Sequence, residues 1–286
     1  MPSLKDIKNK IGGVTKTAQI TRAMNMVAAA KLRGAQSKME AFRPYAEQFH
    51  AAMAKLSTGT DDNLFPLMEV REVATVELVV VTSDRGLCGS FNANILKMAQ
   101  KTKVELESVG KKVSVVCVGR KACNYFRKTG LMRKGYVDIM GTFQMFNARS
   151  IAQDCAANFL IGEADEVKII YGRFHSLGVQ RPEVITLLPI KPGASDETVQ
   201  GAYIYEPSQE EIMGVLLPMF VNVMVYRAML EVSASEHAAR MTAMDNATKA
   251  CKDIVNNLTL IYNKTRQAGI TADLMDIVGG AEALKG

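Results

Sequence analysis

Residues 4–56 read LKDIKNKIGGVTKTAQITRAMNMVAAAKLRGAQSKMEAFRPYAEQFHAAMAKL, and their periodicity decides the fold. Alternating steps of three and four from Leu4 land on Ile7, Ile11, Val14, Ala18, Thr21, Asn25, Ala28, Leu32, Ala35, Met39, Phe42, Ala46, Phe49, Met53 and Leu56. Every stop except Thr21 and Asn25 is apolar. An apolar seam sustained over so many turns marks a helix that pairs along its length with another helix. Asn25 within the seam lowers stability but specifies register, because a slip leaves its amide unpaired. Ser3 caps the start, with Asp6 three residues on as a shortened capping box. Pro44 predicts a bend or one loosened turn, and Ser57-Thr58-Gly59 predicts the end. Gly12 and Gly13 each cost about 1 kcal/mol inside a helix and suggest a place where another backbone comes close.

The other end of the chain supplies the partner. Ser208 and Glu211, after Pro207, form a capping-box start. From there the chain reads as helix almost to Leu284, with Pro218 and Gly269 as expected irregularities. Met241, Met244, Thr248, Cys251, Val255, Leu258 and Tyr262 make the matching stripe, and small residues over 233–239 allow close helix approach. At about 1.5 Å per residue the first helix is roughly 80 Å long and the last roughly 110 Å. Helices of that length need support, and two that leave and return to one middle region run antiparallel. The longer helix then projects past its partner. Its end carries Ile270, Leu274, Ile277, Val278, Ala281, Ala283 and Leu284, a surface too apolar to be left bare.

Between the helices, residues 75–82, 113–118 and 166–172 read as buried Val/Ile-rich strands, with 179–188 as a further strand. Helical stretches near 92–108, 121–128 and 147–161 alternate with them. That order predicts a mainly parallel, Rossmann-like α/β domain. The expected organisation is an N-terminal coiled-coil helix over 1–60, a central α/β domain over 61–205 and a C-terminal coiled-coil helix over 206–286.

Composition narrows the function. The chain has 286 residues, 48% hydrophobic and 22% charged, and a net charge of +6. Residues 1–43 hold nine Lys/Arg against Asp6 and Glu40, so the positive surplus sits on the first helix. A basic helix suits nucleic acid, anionic lipid or an acidic protein surface, and the absence of Trp argues against stacking on single strands. No uninterrupted apolar run approaches the roughly 18 residues of a membrane span, and the start lacks a secretory signal's apolar core, so a cytosolic chain is expected. Cys88, Cys117, Cys123, Cys155 and Cys251 form no C-x-x-C pair, and His50, His175 and His237 stand apart. Free buried thiols and no metal or cofactor are the reading.

The chemistry that could still hide in the middle is at Ser83-Asp84-Arg85-Gly86-Leu87-Cys88-Gly89-Ser90-Phe91-Asn92. A turn at the carboxyl end of a first strand is where nucleotides bind in open α/β sheets. This one is neither G-x-G-x-x-G nor a P-loop. Cys88 lacks an evident base, and Asp84 and Arg85 can pair locally or reach a partner. Three readings stand on these residues alone: a structural shaft, an α/β nucleotide-binding enzyme, and a basic coiled-coil protein for nucleic acid or lipid.

Three blocks bring a resemblance. ITRAMNMVAAAKLR at 20–33 resembles the ITKAM-x-MVAA(S)KL stretch of the ATP synthase γ-subunit family, and residues 83–92 resemble its SDRGLCG-x-(F/L)N motif. The run from Ala234-Ser235-Glu236-His237 through Arg266-Gln267-Ala268 to Gly280-Ala281 is similar to the family's ending, with Asp273 for its usual Glu and Gly279-Gly280-Ala281 for Ser-Gly-Ala. The resemblance implies a central-stalk rotor with no catalytic, cofactor or metal site. It would couple proton or sodium flow through the membrane c-ring to ATP synthesis or hydrolysis in an α3β3 ring, with ε as a further partner. It implies a peripheral position on the cytoplasmic face of a bacterial inner membrane. By the same resemblance Arg266, Gln267, Thr271 and Asp276 touch α/β loops near the tip, and Lys31, Arg85 and the Cys88 turn face an acidic lever of β. Tyr203, Tyr205 and Glu206 sit on the c-ring, and Met24, Asn25 and Arg240 pack where the two helices meet.

Overall fold

The computed structural model describes residues 3–56, 65–191 and 208–283. The chain divides into two compact units, one of residues 1–28 with 241–286 and one of residues 29–240. Among the described residues, five α-helices and five strands follow in order: α1 (Leu4–Leu56), β1 (Thr75–Val81), α2 (Phe91–Ser108), β2 (Lys112–Val118), α3 (Arg120–Phe126), β3 (Met132–Tyr136), α4 (Met145–Leu160), β4 (Glu166–Phe174), β5 (Gln180–Leu188) and α5 (Gln209–Ala283).

The first unit is a pair of helical segments from α1 and α5. Thr21 Oγ1 lies 2.8 Å from Thr248 Oγ1, and Asn25 Nδ2 donates to the Met241 carbonyl at 2.8 Å. Partner numbers fall as α1 numbers rise, so the pair is antiparallel. The seam read from the sequence is the contact line: none of its stops from Leu4 to Met53 is exposed, and neither is any from Met241 to Tyr262. Asn25 therefore meets a backbone acceptor across the seam, as a register device should. The Ser3 cap forms with Asp6 N to Ser3 Oγ at 3.2 Å and Ser3 Oγ to Asp6 Oδ2 at 2.8 Å. A side chain added at Gly12 or Gly13 meets nothing within 4 Å, so among the described residues no close backbone explains these glycines.

The second unit is built on a five-stranded sheet in the order β3-β2-β1-β4-β5. The pairs β1–β2, β1–β4 and β2–β3 are parallel, and β5 closes one edge antiparallel to β4. All of β1 beyond its first residue is buried, which is why it reads as a Val/Leu run interrupted by Glu77 rather than an alternating one. β3 went unforeseen. Its sequence, MRKGY, is short, charged and mostly exposed, as befits an edge strand protected against further pairing. It is held by Arg133, which bonds the fully buried Glu77 on β1 at 2.6 Å and Asp154 on α4 at 2.6 Å. Burial pushes the Glu77 carboxyl up, with the Arg133 guanidinium opposing.

Parts of α1 and α5 also run antiparallel within this unit. Phe42 packs edge-on against Tyr226 at 4.9 Å, and Phe49 stacks on Phe220 at 6.3 Å. Helix assignment continues through Pro44 and Pro218, both exposed, where water can satisfy the carbonyl that each leaves free. Residues 210–283 contain an 18-residue window of mean hydropathy 1.7, long and apolar enough to cross a bilayer, of which half is buried inside the fold. Counting uninterrupted apolar residues overlooks it. The buried α5 residues Met213, Leu217, Val221 and Val225 join the same apolar core as the strands.

The expected α1 end at Ser57-Thr58-Gly59, the expected domain boundaries at 60/61 and 205/206 and the segment Tyr203, Tyr205 and Glu206 lie outside the described residues.

Candidate functional site

Strand β1 ends at Val81, and the chain turns through Thr82 to Ser90 before α2 begins at Phe91. The turn is fastened from inside. Thr82 Oγ1 accepts from the Ala122 amide at 2.9 Å and donates to the Val118 carbonyl at 3.2 Å. Gly119 at this point has φ 90°, and a Cβ there would stand 2.2 Å from the Thr82 carbonyl oxygen, so only glycine fits. Asn92 reaches back from α2: its Oδ1 accepts the Ser83 amide at 3.1 Å and its Nδ2 donates to Ser83 Oγ at 2.8 Å.

Asp84 does not pair with Arg85, nor does its carboxylate project toward a partner. It accepts three backbone amides, from Arg120 at 2.9 Å, Asp138 at 3.0 Å and Met140 at 2.9 Å. The carboxylate thus ties together the loops after β2 and β3. A sequence cannot show this, because all three donors are main-chain groups far along the chain.

Cys88 is buried, and Asn92 Nδ2 donates to its sulfur at 3.1 Å. Burial pushes its thiol pKa up, away from the thiolate a nucleophile needs. The outer face of the turn is carried instead by Arg85 and by Leu87, which is 61% exposed at φ 61°. Strain of this kind at a non-glycine residue is typical of surfaces that do a job.

The crevice beyond β1 and β4, where the strand order reverses, is filled by α5. Ser235 Oγ donates to the Gly172 carbonyl at 3.0 Å, and Glu231, 1% exposed, accepts the Phe174 amide at 2.9 Å. Phe91 closes the same space so tightly that a Cβ on Gly172 would lie 2.4 Å from its ring. Arg240 completes the closure, donating to the Gly86 carbonyl from Nε at 3.2 Å and Nη2 at 3.0 Å, and to Glu236 at 2.5 Å. Protein atoms occupy the place a dinucleotide would take in such a sheet. Among the described residues no three His, Cys, Asp or Glu side chains converge as a metal site.

Around Arg240 the field is positive. Burial first, then Arg240, Lys31 and Arg85, lower the His237 pKa to about 4, so the ring is neutral at physiological pH and lies 3.3 Å from an Arg240 nitrogen. Burial pushes the Glu236 carboxyl up, with Arg240 and Lys31 opposing. Lys31 and Arg85 are both exposed. The expected residues Lys31, Arg85, Cys88 and Arg240 thus occur in one unit, with Cys88 turned inward. Gly172 and Glu231 were not anticipated, and Asn92 and Ser235 stood in the quoted motifs without these contacts being foreseen. For Ser235 the small-residue run at 233–239 was a signal, though it pointed to helix contact rather than to a strand.

In the other unit Met24 and Asn25 are half-buried in the helix pair. Every residue from Arg266 to Ala283 is exposed, including Gln267, Thr271 and Asp276. Leu274, Met275 and Ile277 are 56, 67 and 67% exposed, so the apolar end anticipated from the sequence is bare.

A family model described as "ATP synthase" matches residues 3–284. Among curated relatives, the ATP synthase gamma chain of Desulfotalea psychrophila is 62% identical over the full length of both chains. The ATP synthase gamma chain of Nitratidesulfovibrio vulgaris (Hildenborough) is 51% identical, again over the full length of both. Among solved structures, a chain of the central stalk and c-ring of Tetrahymena thermophila mitochondrial ATP synthase matches with a TM-score of 0.62 at 26% identity, over 80% of this chain and 99% of that one. A chain of the Euglena gracilis mitochondrial ATP synthase shares the fold with a TM-score of 0.73 at 22% identity, over 98% of this chain and 94% of that one.

Proposed function

We infer the role of this chain from one premise: it belongs to the ATP synthase gamma-chain family. It is a rotor subunit of the central stalk, coupling ion flow through a membrane ring to ATP synthesis or hydrolysis in a surrounding α3β3 ring. The observation that carries this reading is the bare end of α5, where Arg266 to Ala283 are exposed and largely apolar. A shaft end turning in a sleeve needs contacts without direction, and apolar surface supplies them. A buried ion pair in that position would hold one angle by about 2–5 kcal/mol.

The chain itself carries no active site in this reading. Supporting it are the α5 helix that fills the sheet's crevice and the buried, protonated Cys88. The ring it turns in performs the chemistry, and the whole is a proton- or sodium-transporting ATP synthase. The α and β subunits surround the helix pair, ε and the c-ring hold the foot through Tyr203, Tyr205 and Glu206, and the assembly lies on the cytoplasmic face of a bacterial inner membrane. Lys31, Arg85 and Leu87 press against an acidic lever of β. Arg266, Gln267, Thr271 and Asp276 grip α and β loops near the tip.

Single-molecule rotation tests this reading. The chain is assembled with α and β subunits, the ring is fixed to a surface through β, and a bead is attached to a cysteine introduced on an exposed residue of α2. Stepwise turning in one sense on adding Mg-ATP is the expected result. An assembled complex whose bead never turns makes the chain a static scaffold, and failure to assemble overturns the partner assignment.

A further inference from the structure

The helix pair of the first unit has two unlike flanks. An antiparallel pair places the residue after each seam position on one side for both helices, and the residue before it on the other. On α1 the following positions include Thr15, Gln19 and Arg22, and on α5 they include Lys252 and Asn256. These five, with Ala18, Thr248 and Val255 from the seam, line a groove of about 360 Å³. The preceding positions include Ile20, Val27, Ile254 and Ile261, which are 60, 57, 45 and 48% exposed. One flank is therefore cationic and rich in hydrogen-bond donors, and the other is mostly apolar, with Lys10, Thr17 and Asn257 as its polar exceptions.

The geometry points to the cationic groove as a docking surface for a carboxylate-bearing segment of the surrounding α3β3 ring, a grip separate from those at the tip and at the Gly86 turn. The inference rests on the rotor reading. Arg22 and Lys252 line the groove from opposite helices, so an acidic side chain entering it meets two cations at once, with the Gln19 and Asn256 amides beside them. Asp245, seven residues before Lys252 and so on the same face of α5, is already held by Lys249 at 2.7 Å. A partner's carboxylate is the complement that remains. The mostly apolar flank offers fewer such directional contacts, so as the shaft turns an acidic segment alternates between a face that holds it and a face that lets it slide.

Zero-length cross-linking of the assembled complex tests this. A carbodiimide activates a carboxylate, and an amine in direct contact displaces it to form an amide, with the carbodiimide leaving as a urea. In α3β3 with the full chain, Lys252 is expected to couple to an Asp or Glu of α or β, located by mass spectrometry of the cross-linked peptides. The product is lost with Lys252→Gln, falls sharply with Arg22→Glu or added salt, and persists with Arg22→Lys. Coupling of Lys252 only to carboxylates of its own chain, to ε or to a second copy overturns the proposal, as does no coupling while other lysines of the chain react with the ring. In each of those cases the complex has assembled and the rotor reading stands; a chain that fails to assemble with α and β removes that premise instead.

Discussion

At the residue scale, the α/β unit is closed by a few side chains that each satisfy several distant groups. Arg240 is the clearest. Removing its guanidinium by Arg240→Met strands the Gly86 carbonyl and leaves Glu236, 5% exposed, without its cation. Loss of one partner of a buried pair costs about 3–5 kcal/mol, whereas Glu236→Gln with Arg240→Met should cost less, since no lone charge remains. Chemical denaturation of the single and double variants measures the difference. His237 sets a pH dependence. An unfolded histidine takes up its proton near 6.5 and the folded one only near 4, so between these values the unfolded chain binds more protons and stability falls as pH drops. Melting temperature should decline through that window in the wild type and decline less in His237→Gln. Gly172→Ala drives a methyl into the Phe91 ring and should lose about 1–3 kcal/mol on the same denaturation curves. The resemblance marked Arg240 from its motif. Nothing in the sequence marked Gly172, whose constraint is an aromatic ring delivered by another element.

At the scale of elements, the seam of α1 was legible because helical periodicity writes the buried face into the chain. So were β1, β2 and β4, whose burial on both sides demands continuous Val and Ile. β3 was not, since an exposed edge strand is selected for charges that hide it. In the helix pair the Thr21–Thr248 contact can be tested as a unit. Thr21→Val or Thr248→Val alone removes the contact across the seam but leaves the other hydroxyl its bond to its own helix, to Ala18 or Met244, so each should cost about 1 kcal/mol or less, and the double variant less than the sum of the two. A double-mutant cycle on the melting transition gives the coupling. Asn25→Leu should raise stability and loosen register, read by disulfide trapping between cysteines placed in and out of the observed register.

For the whole molecule, the bare end of α5 separates folding from function. Residues 266–283 bury nothing, so a chain ending at Thr265 should melt within about 0.5 kcal/mol of the full chain, as surface changes do. The same truncation should weaken rotation in the assembled ring, because the bearing surface is gone. A large loss of free-chain stability would mean that the end packs on the chain itself and is no bearing. Function at this level was readable only through family resemblance. A bare apolar helix end says that something covers it, not what.

The sequence by itself determined the two long helices, their seam and antiparallel sense, the buried strands and the apolar end, because each is a local pattern repeated with the period of its element. Only the tertiary structure decided that α5 fills the sheet's crevice, that Asp84 clamps three main-chain amides, that Cys88 points inward and that the helix pair has a cationic and a mostly apolar flank. Those outcomes depend on which groups meet across long stretches of chain, and periodicity carries no information about such meetings.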